Sequence, residues 1–237
     1  LKFVCYRFFT QGSIDESVYK SELHRLIERE ITIICDDVFF DCDFEAGKQA
    51  SNKEREARGL TGRSLNYGEI EYKAFCDILA SLERYDIKTE NAVFYDLGSG
   101  TGKALVCARL FADFRKVKGV ELLASLSAKA DKAIGTFNKK YLEDLWYPGA
   151  IEHEEKSLLD ADWSDGDVVF CNSTAFDREL MEHMSNKAAA CLKKGAIVIT
   201  FTKPLHDYGD RKKFEELERV RMRMSWGPAT VIFFRKR

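Results

Sequence analysis

The chain has 237 residues, of which 45% are hydrophobic and 12% aromatic, and its formal net charge is −2 at pH 7. This composition predicts a globular protein, because disordered chains have fewer apolar groups and more uncompensated charge. The longest apolar runs, such as Ala196 to Phe201, are strand-sized, whereas a membrane-spanning helix needs roughly 20 apolar residues. No membrane segment is therefore expected.

Seven cysteines are spread along the chain without a CxxC pair, and the four histidines are scattered. An odd number of widely spaced cysteines does not indicate a disulfide framework, and neither residue type shows the spacing of metal ligands. The first 13 residues lack the basic region, apolar core and cleavage site of a secretory leader. We expect an intracellular protein, nuclear or cytoplasmic, without a metal.

Residues 1–64 are predicted to form a helical N-terminal extension. From Asp15 to Phe39, apolar residues recur near helical spacing. The charged stretch Glu45 to Arg58 is either a flexible linker or a solvated helix, and a loop is expected from Leu60 to Asn66.

From Asn91 onward, strand-like and helix-like segments alternate. The predicted strands are Val93 to Leu97, Val117 to Leu122, Ala150 to Glu154, Val168 to Cys171, Ala196 to Thr202 and Ala229 to Phe234. The predicted helices are Lys103 to Phe114, Ala124 to Tyr141 and Asp177 to Leu192. This alternation predicts an α/β fold with a mostly parallel sheet, helices on both faces, and ligand binding beyond the carboxyl ends of the strands.

The C-terminal end is basic, since residues 200–237 carry 10 Lys/Arg and 5 Asp/Glu. Such an end could make weak contact with nucleic acid or an acidic protein. The stretch Lys212 to Arg223, with its interleaved glutamates, is also typical of a solvated helix face. Both interpretations stay open.

The segment YDLGSGTGKAL, Tyr95 to Leu105, is a glycine-rich loop between a predicted strand and a predicted helix. A triphosphate-binding loop needs Gly-Lys followed by Ser or Thr, but here Lys103 is followed by Ala104. A dinucleotide fingerprint needs glycine at relative positions 1, 3 and 6, and the sixth residue here is Lys103. The spacing therefore fits neither phosphate site.

The flanking acids indicate a different ligand. Asp96 precedes the alternating Gly98, Gly100 and Gly102, and Glu121 ends the next predicted strand. Glu121 is placed to accept both ribose hydroxyls of an adenosine, and Asp96 to face an amino group. The glycines allow close approach of a thioether or sulfonium. Together these features predict S-adenosylmethionine, although the glycines could form only a tight turn and Glu121 could be a surface acid.

Several longer segments carry a family resemblance. They are VFYDLGSGTGK, VKGVELLASLSAKA and VVFCNSTAFDREL, and more selectively NYGEIEYKAF and MSWGPATVIFF. Over roughly residues 65–237 the chain resembles the non-SET lysine methyltransferases of the disruptor-of-telomeric-silencing type, which modify the globular core of histone H3. The resemblance implies a seven-stranded Rossmann-like methyltransferase domain over 65–237, mostly parallel with an antiparallel C-terminal strand.

The resemblance also implies S-adenosylmethionine as cofactor and S-adenosylhomocysteine as product. Tyr67 and Glu69 would contact the methionine end of the cofactor. Ser157 and Leu158 would lie at the adenine, where a serine can still hydrogen-bond and a leucine can still cover the ring. Lys103, which follows the glycine loop, is included among the predicted cofactor contacts.

The acceptor implied by the resemblance is a lysine side chain of a protein, for which a histone or nucleosome is a candidate. Asn172 would be the catalytic residue, lying beside the transferred methyl and acting by positioning. Phe176 and Trp226 would help to wall the acceptor channel. The alternatives are a turn cap before the helix at Asp177 for Asn172, and core packing for the two aromatic residues.

Three departures from the family pattern concern the substrate more than the cofactor. Ser157 and Leu158 stand where the family has an Asp-Phe pair, and Ile70 stands where its loop usually has a hydroxyl. A channel tyrosine is missing near the C-terminus, which offers Phe233 and Phe234. Two alternatives therefore stay open: a methyltransferase for a non-histone protein or small amine, and an inactive cofactor-binding module.

Overall fold

The computed structural model describes residues 16–145, 149–205, 208–224 and 226–237. Its strands are β1 (Val93–Leu97), β2 (Lys116–Glu121), β3 (Ile151–Glu155), β4 (Val168–Cys171), β5 (Ile197–Phe201), β6 (Phe214–Met224) and β7 (Gly227–Lys236). They form one sheet in the order β3-β2-β1-β4-β5-β7-β6. β1 to β5 pair in parallel, whereas β7 pairs antiparallel with both β5 and β6. The predicted seven-stranded fold is confirmed.

Helices cover both faces of this sheet. They are α1 (Glu16–Val38), α2 (Phe44–Ala57), α3 (Tyr72–Ala80), α4 (Lys103–Phe111), α5 (Ala124–Tyr141) and α6 (Arg178–Cys191). Successive residues of a strand point to opposite faces, so Phe94 joins the cluster with α1, α3, α4 and α5, while Tyr95 joins the cluster with α6. β1, β4 and β5 are buried along their whole length, as central parallel strands usually are.

The helix-face interpretation of the basic C-terminal stretch is wrong. Lys212 to Arg223 lies largely in β6, the edge strand of the sheet. Exposed and partly buried side chains alternate along it: Arg219, Val220, Arg221, Met222 and Arg223. This period of two belongs to a strand, and Met222 packs against the core. A register shift between Glu216 and Glu218 interrupts the alternation, which hides the strand pattern in the sequence.

The N-terminal helices pack onto the same core as the sheet. Ile31 and Cys35 of α1 are fully buried, and the Cys35 sulfur lies 3.7 Å from that of Cys107 in α4. The stretch from Glu45 is helix α2, one of the two alternatives considered. The Glu54 carboxylate accepts the backbone N–H groups at the start of α5. Burial alone would raise the pKa of Glu54, but hydrogen bonds, chiefly from Ser125, lower it to about 2.

The division of the chain after residue 64 stays a prediction. Among the described residues, no group of three or more His, Cys, Asp or Glu could hold a metal ion. Within the same part of the chain, no helix has both the length and the apolar character needed to cross a membrane. The six cysteines that the structure describes are free thiols, and Cys5 lies outside the described residues.

Candidate active site

A cleft opens at the carboxyl ends of β1, β2 and β4, where the sequence predicts ligand binding. The space between its walls amounts to about 990 Å³, which includes open solvent at the mouth. Eleven of the thirteen predicted site residues line it: Tyr67, Glu69, Asp96, Gly98, Gly100, Lys103, Glu121, Ser157, Leu158, Asn172 and Phe176. The fold thus brings together residues that are far apart in the sequence.

The two remaining predicted residues, Gly102 and Trp226, do not line this cleft. Gly102 has φ +86° at the start of α4, and a Cβ there would lie 3.4 Å from the Cβ of Ala130, so its backbone turn and helix packing explain it. Trp226 stands at the rim. A Cβ built on Gly68 would lie 3.5 Å from the Trp226 ring and 3.9 Å from the Asn172 amide nitrogen.

The cleft contains two buried carboxyl groups, those of Asp96 and Glu121, whose negative charges repel each other. Asp96 is 3% exposed and Glu121 is 7% exposed. Burial, together with the charge of Glu121, raises the pKa of Asp96 to about 8. Burial also raises the pKa of Glu121, although its carboxylate accepts the backbone N–H groups of Gly100 at 2.8 Å and Leu123 at 2.9 Å. A positive group beside Asp96 would offset its desolvation.

The loop over residues 64–70 is fastened to the glycine-rich loop by side chains. The Tyr67 hydroxyl donates to Glu69 and lies 3.0 Å from the Thr101 hydroxyl. The other oxygen of Glu69 accepts from the Lys103 ammonium. Burial, and then the charge of Glu69, raise the pKa of Tyr67 far above its usual range. A Cβ on Gly100 would lie 3.1 Å from the Tyr67 ring, and the φ of +56° would strain any other residue, so both features favour glycine there.

The N-terminal helix α2 supports the Tyr67 ring from behind. Phe44 stacks on it with ring centroids 5.8 Å apart and planes 27° apart. A Cβ on Gly47 would lie only 2.7 Å from the ring carbons and hydroxyl of Tyr67. Sequence reasoning missed Phe44, Gly47 and Thr101. The available signal was Gly47 itself. Glycine inside a helix lowers the stability of the helix relative to alanine, so its presence there indicates close packing against another side chain.

Gly47→Ala is expected to lower the free energy of unfolding by about 1–3 kcal/mol, the usual cost of overpacking. The Tyr67 ring cannot simply move away, because Phe44, Glu69 and Thr101 hold it. Urea unfolding measures the change. The matched control is Gly135→Ala, in helix α5 with nothing within 4 Å of the new Cβ, which should stabilise by about 0.5–1 kcal/mol. Equal effects of the two variants would contradict this packing argument.

Asn172 follows β4 and turns its side chain toward the cleft. The next residue fixes the turn, since the Ser173 hydroxyl donates to the Phe201 carbonyl at 2.8 Å and accepts the Phe201 N–H at 3.2 Å. The cap of α6 is Asp177, whose carboxylate accepts from the Leu180 N–H. The Asn172 side chain is therefore not the helix cap. Its buried amide oxygen has no hydrogen-bond partner among the described residues.

Apolar and hydroxyl groups complete the cleft. The Phe176 ring is 7% exposed and covers the glycine loop, with its tip 3.9 Å from where a Cβ on Gly98 would lie. Leu158 is 9% exposed and lines the opposite end beside Ser157. The Ser157 hydroxyl accepts a backbone N–H at 3.2 Å, which leaves its own proton free to be donated.

A family model described as "Histone methylation protein DOT1" matches residues 59–231. The chain belongs to this family. The matched range contains every residue that lines the cleft. The suspected resemblance is confirmed, and S-adenosylmethionine, the predicted cofactor, is the cofactor of this methyltransferase family.

A curated relative of this DOT1-family chain is the "Histone-lysine N-methyltransferase, H3 lysine-79 specific" of Caenorhabditis elegans. The two are 30% identical over 155 residues, which is 63% of this chain and 16% of the relative. The chain thus spans a small part of that relative's length.

Solved structures agree on the fold. The magnesium protoporphyrin IX methyltransferase of Synechocystis PCC 6803 with bound S-adenosylhomocysteine has a TM-score of 0.52 at 13% identity, covering 81% of this chain and 100% of that one. The same enzyme with S-adenosylmethionine has a TM-score of 0.52 at 11% identity, covering 96% and 100%. At this identity the likeness shows the methyltransferase fold alone.

Proposed function

We propose that this chain transfers the methyl group of S-adenosylmethionine to a lysine side chain of a protein, with a histone or nucleosome as the leading acceptor. The observation that carries the proposal is the buried amide oxygen of Asn172 in the cleft wall, which has no hydrogen-bond partner in the part of the chain that the structure describes. Because this oxygen lies in the wall of the cleft, it is placed to accept a hydrogen bond from a bound group. The family match supports the same chemistry.

In the proposed complex, the ribose hydroxyls donate to Glu121 and the amino group of the cofactor's methionine end pairs with Asp96. The glycine loop fits this ligand, because Gly98 and Gly100 adopt positive φ angles and leave their side of the cleft open. Ser157 and Leu158 take the adenine end. This assignment explains why two acids are buried in one cleft, since each then meets a donor or a positive group.

When bound, the cofactor supplies a methyl group on a positively charged sulfur. The residues of the chain then have to align the acceptor amine, hold it there and exclude water. The Asn172 amide oxygen would accept a hydrogen bond from an N–H of the amine. This bond would orient the amine so that the lone pair of its nitrogen points at the methyl group. Phe176 and Trp226 would wall the approach, and their apolar surfaces favour the neutral amine over the ammonium.

Cofactor affinity is expected to rise with pH up to about pH 8. The pKa of Asp96 is about 8 in the free protein, and pairing with an ammonium requires its ionised form, so binding below this pH releases a proton. Affinity for S-adenosylhomocysteine should then increase by up to about tenfold per pH unit. Calorimetry in two buffers of different ionisation enthalpy measures the proton release. A pH-independent affinity without proton release would contradict the pairing with Asp96.

The acceptor is identified by offering nucleosomes, free core histones and total cell extract side by side with methyl-labelled S-adenosylmethionine. Label in methyllysine of a histone supports the leading proposal, of which a nuclear location is a further part. Label on a different protein or a small amine keeps the chemistry and changes the substrate. Cofactor binding without label on any acceptor would favour the inactive-module alternative.

The basic edge of the sheet supports a weak contact with the acceptor complex. Arg219, Arg221 and Arg223 form an exposed row along β6 that leads toward Trp226 at the rim of the cleft. Contact of this row with nucleic acid phosphates would weaken at higher salt. We keep this contact as part of the proposal on nucleosomes.

A further inference from the structure

Helix α1 presents two large apolar side chains to solvent. Ile33 is 53% exposed, and Phe40, which lies in the turn just after the helix, is 84% exposed. Both lie outside the cleft, and α1 buries its opposite side, with Ile31 and Cys35, against the core. Neighbouring apolar side chains that stay exposed on one helix face indicate a surface that another protein covers.

The spacing of these residues is typical of a stripe that packs against a second helix. Leu26, which is partly exposed, Ile33 and Phe40 recur at intervals of seven residues. The helical hydrogen bonds continue to Phe39, whose N–H donates to the Cys35 carbonyl at 2.8 Å. Because seven residues make about two helical turns, the three apolar side chains lie along one face over about 21 Å. Helices pair through stripes of this period.

The charges on the same face favour a second copy of the chain as the partner. Arg29 and Asp36 are both exposed, four residues before and three residues after Ile33, and they lie on one side of the stripe. When two α1 helices pack antiparallel around a two-fold axis at Ile33, Arg29 of each copy faces Asp36 of the other. A parallel pair would place Arg29 against Arg29 and Asp36 against Asp36. The face is therefore complementary to itself in the antiparallel orientation.

We propose that two copies of this chain associate through α1 in this antiparallel arrangement. Ile33 packs against Ile33 at the axis, and Phe40 packs against Leu26 of the second copy. The pair of Arg29 with Asp36 forms twice, once on either side of the axis. One pair of helices buries less than the roughly 1,600 Å² of a standard interface, so we expect a weak dimer that forms at micromolar concentrations. Each copy keeps its own open cleft, because this face lies outside it.

Sedimentation equilibrium of the full chain over a micromolar concentration range measures the dissociation constant of the dimer. Ile33→Glu should raise this constant by about tenfold or more, because it places two carboxylates at the centre of the interface. Ile33 is exposed in the single chain, so the variant should keep its fold, which circular dichroism checks.

Charge reversal tests the antiparallel register. Arg29→Asp and Asp36→Arg should each raise the dissociation constant by about tenfold, because each variant alone places like charges opposite each other. An equimolar mixture of the two variants should dimerise like the wild type, because a mixed pair has opposite charges at both positions. The matched control is Lys53→Asp, a reversal at an exposed residue of α2, which should also dimerise like the wild type.

Three results would overturn the inference. The wild-type chain could stay monomeric over the whole range, and this face would then belong to a different partner. Ile33→Glu could leave the dimer unchanged, or the mixture of charge variants could dimerise no better than each variant alone. The cofactor site stands in each case, because none of the substituted residues lines the cleft.

Discussion

Asp96→Asn is expected to weaken the binding of S-adenosylhomocysteine by about 100-fold or more, because it removes the buried partner of the ligand's positive group. The shape of the side chain is kept, so packing in β1 should survive. Calorimetry measures the loss. The control Asp131→Asn changes an exposed carboxylate of α5 that lies 2.9 Å from His153 outside the cleft, and it should bind like the wild type.

Asp96→Asn should also change how the free energy of unfolding of the ligand-free protein depends on pH. The pKa of Asp96 is about 8 in the folded chain, against an ordinary value of 3.8. Between these values the folded state holds a proton that the unfolded state has lost, so stability falls as pH rises from about 4 to about 8. Asp96→Asn should reduce this decline in urea unfolding curves. A variant that binds poorly and shows an unchanged pH profile would contradict the charge argument.

Asn172→Ala is expected to lower the rate of methyl transfer by about 100-fold or more while cofactor affinity changes by less than about threefold. The amide oxygen is proposed to orient the acceptor amine, and a misaligned nucleophile reacts slowly even when both ligands are bound. Single-turnover transfer from bound cofactor separates this step from binding.

A close control exists for Asn172. Asn138 in α5 also has a buried amide oxygen without a partner among the described residues, but it does not line the cleft. Asn138→Ala should leave the transfer rate within about twofold, since it does not touch the aligned groups. If both variants lost activity alike, the effect of Asn172 would be one of stability and not of positioning.

Much of the fold could be predicted because local and global signals agree. β1, β4 and helix α5 have the predicted bounds. The two strands are short apolar runs that end at turn residues, and the helix is a long segment whose apolar residues recur at helical spacing. The pattern failed at β6. An edge strand buries only one row of its side chains. In β6 the charged Glu216 and Glu218 also flank the register shift, so the charged residues hide the alternation of exposed and buried side chains in the sequence.

The site was predictable where one motif specifies one kind of contact. Asp96, the glycine loop and Glu121 lie on neighbouring strand ends, so a sheet of this topology brings them together. The support of Tyr67 by Phe44 and Gly47 was not predictable, because those contacts join helix α2 to a loop some 20 residues later. Spacing in the sequence carries no information on which helix face meets that loop.

The most direct test of the central claim is a crystal structure with S-adenosylhomocysteine bound. We predict the ligand in the cleft, with its ribose on Glu121, its amino group at Asp96, its adenine against Leu158 and its sulfur facing Asn172. Ligand bound elsewhere on the chain, or in this cleft with the ribose away from Glu121, would contradict the account.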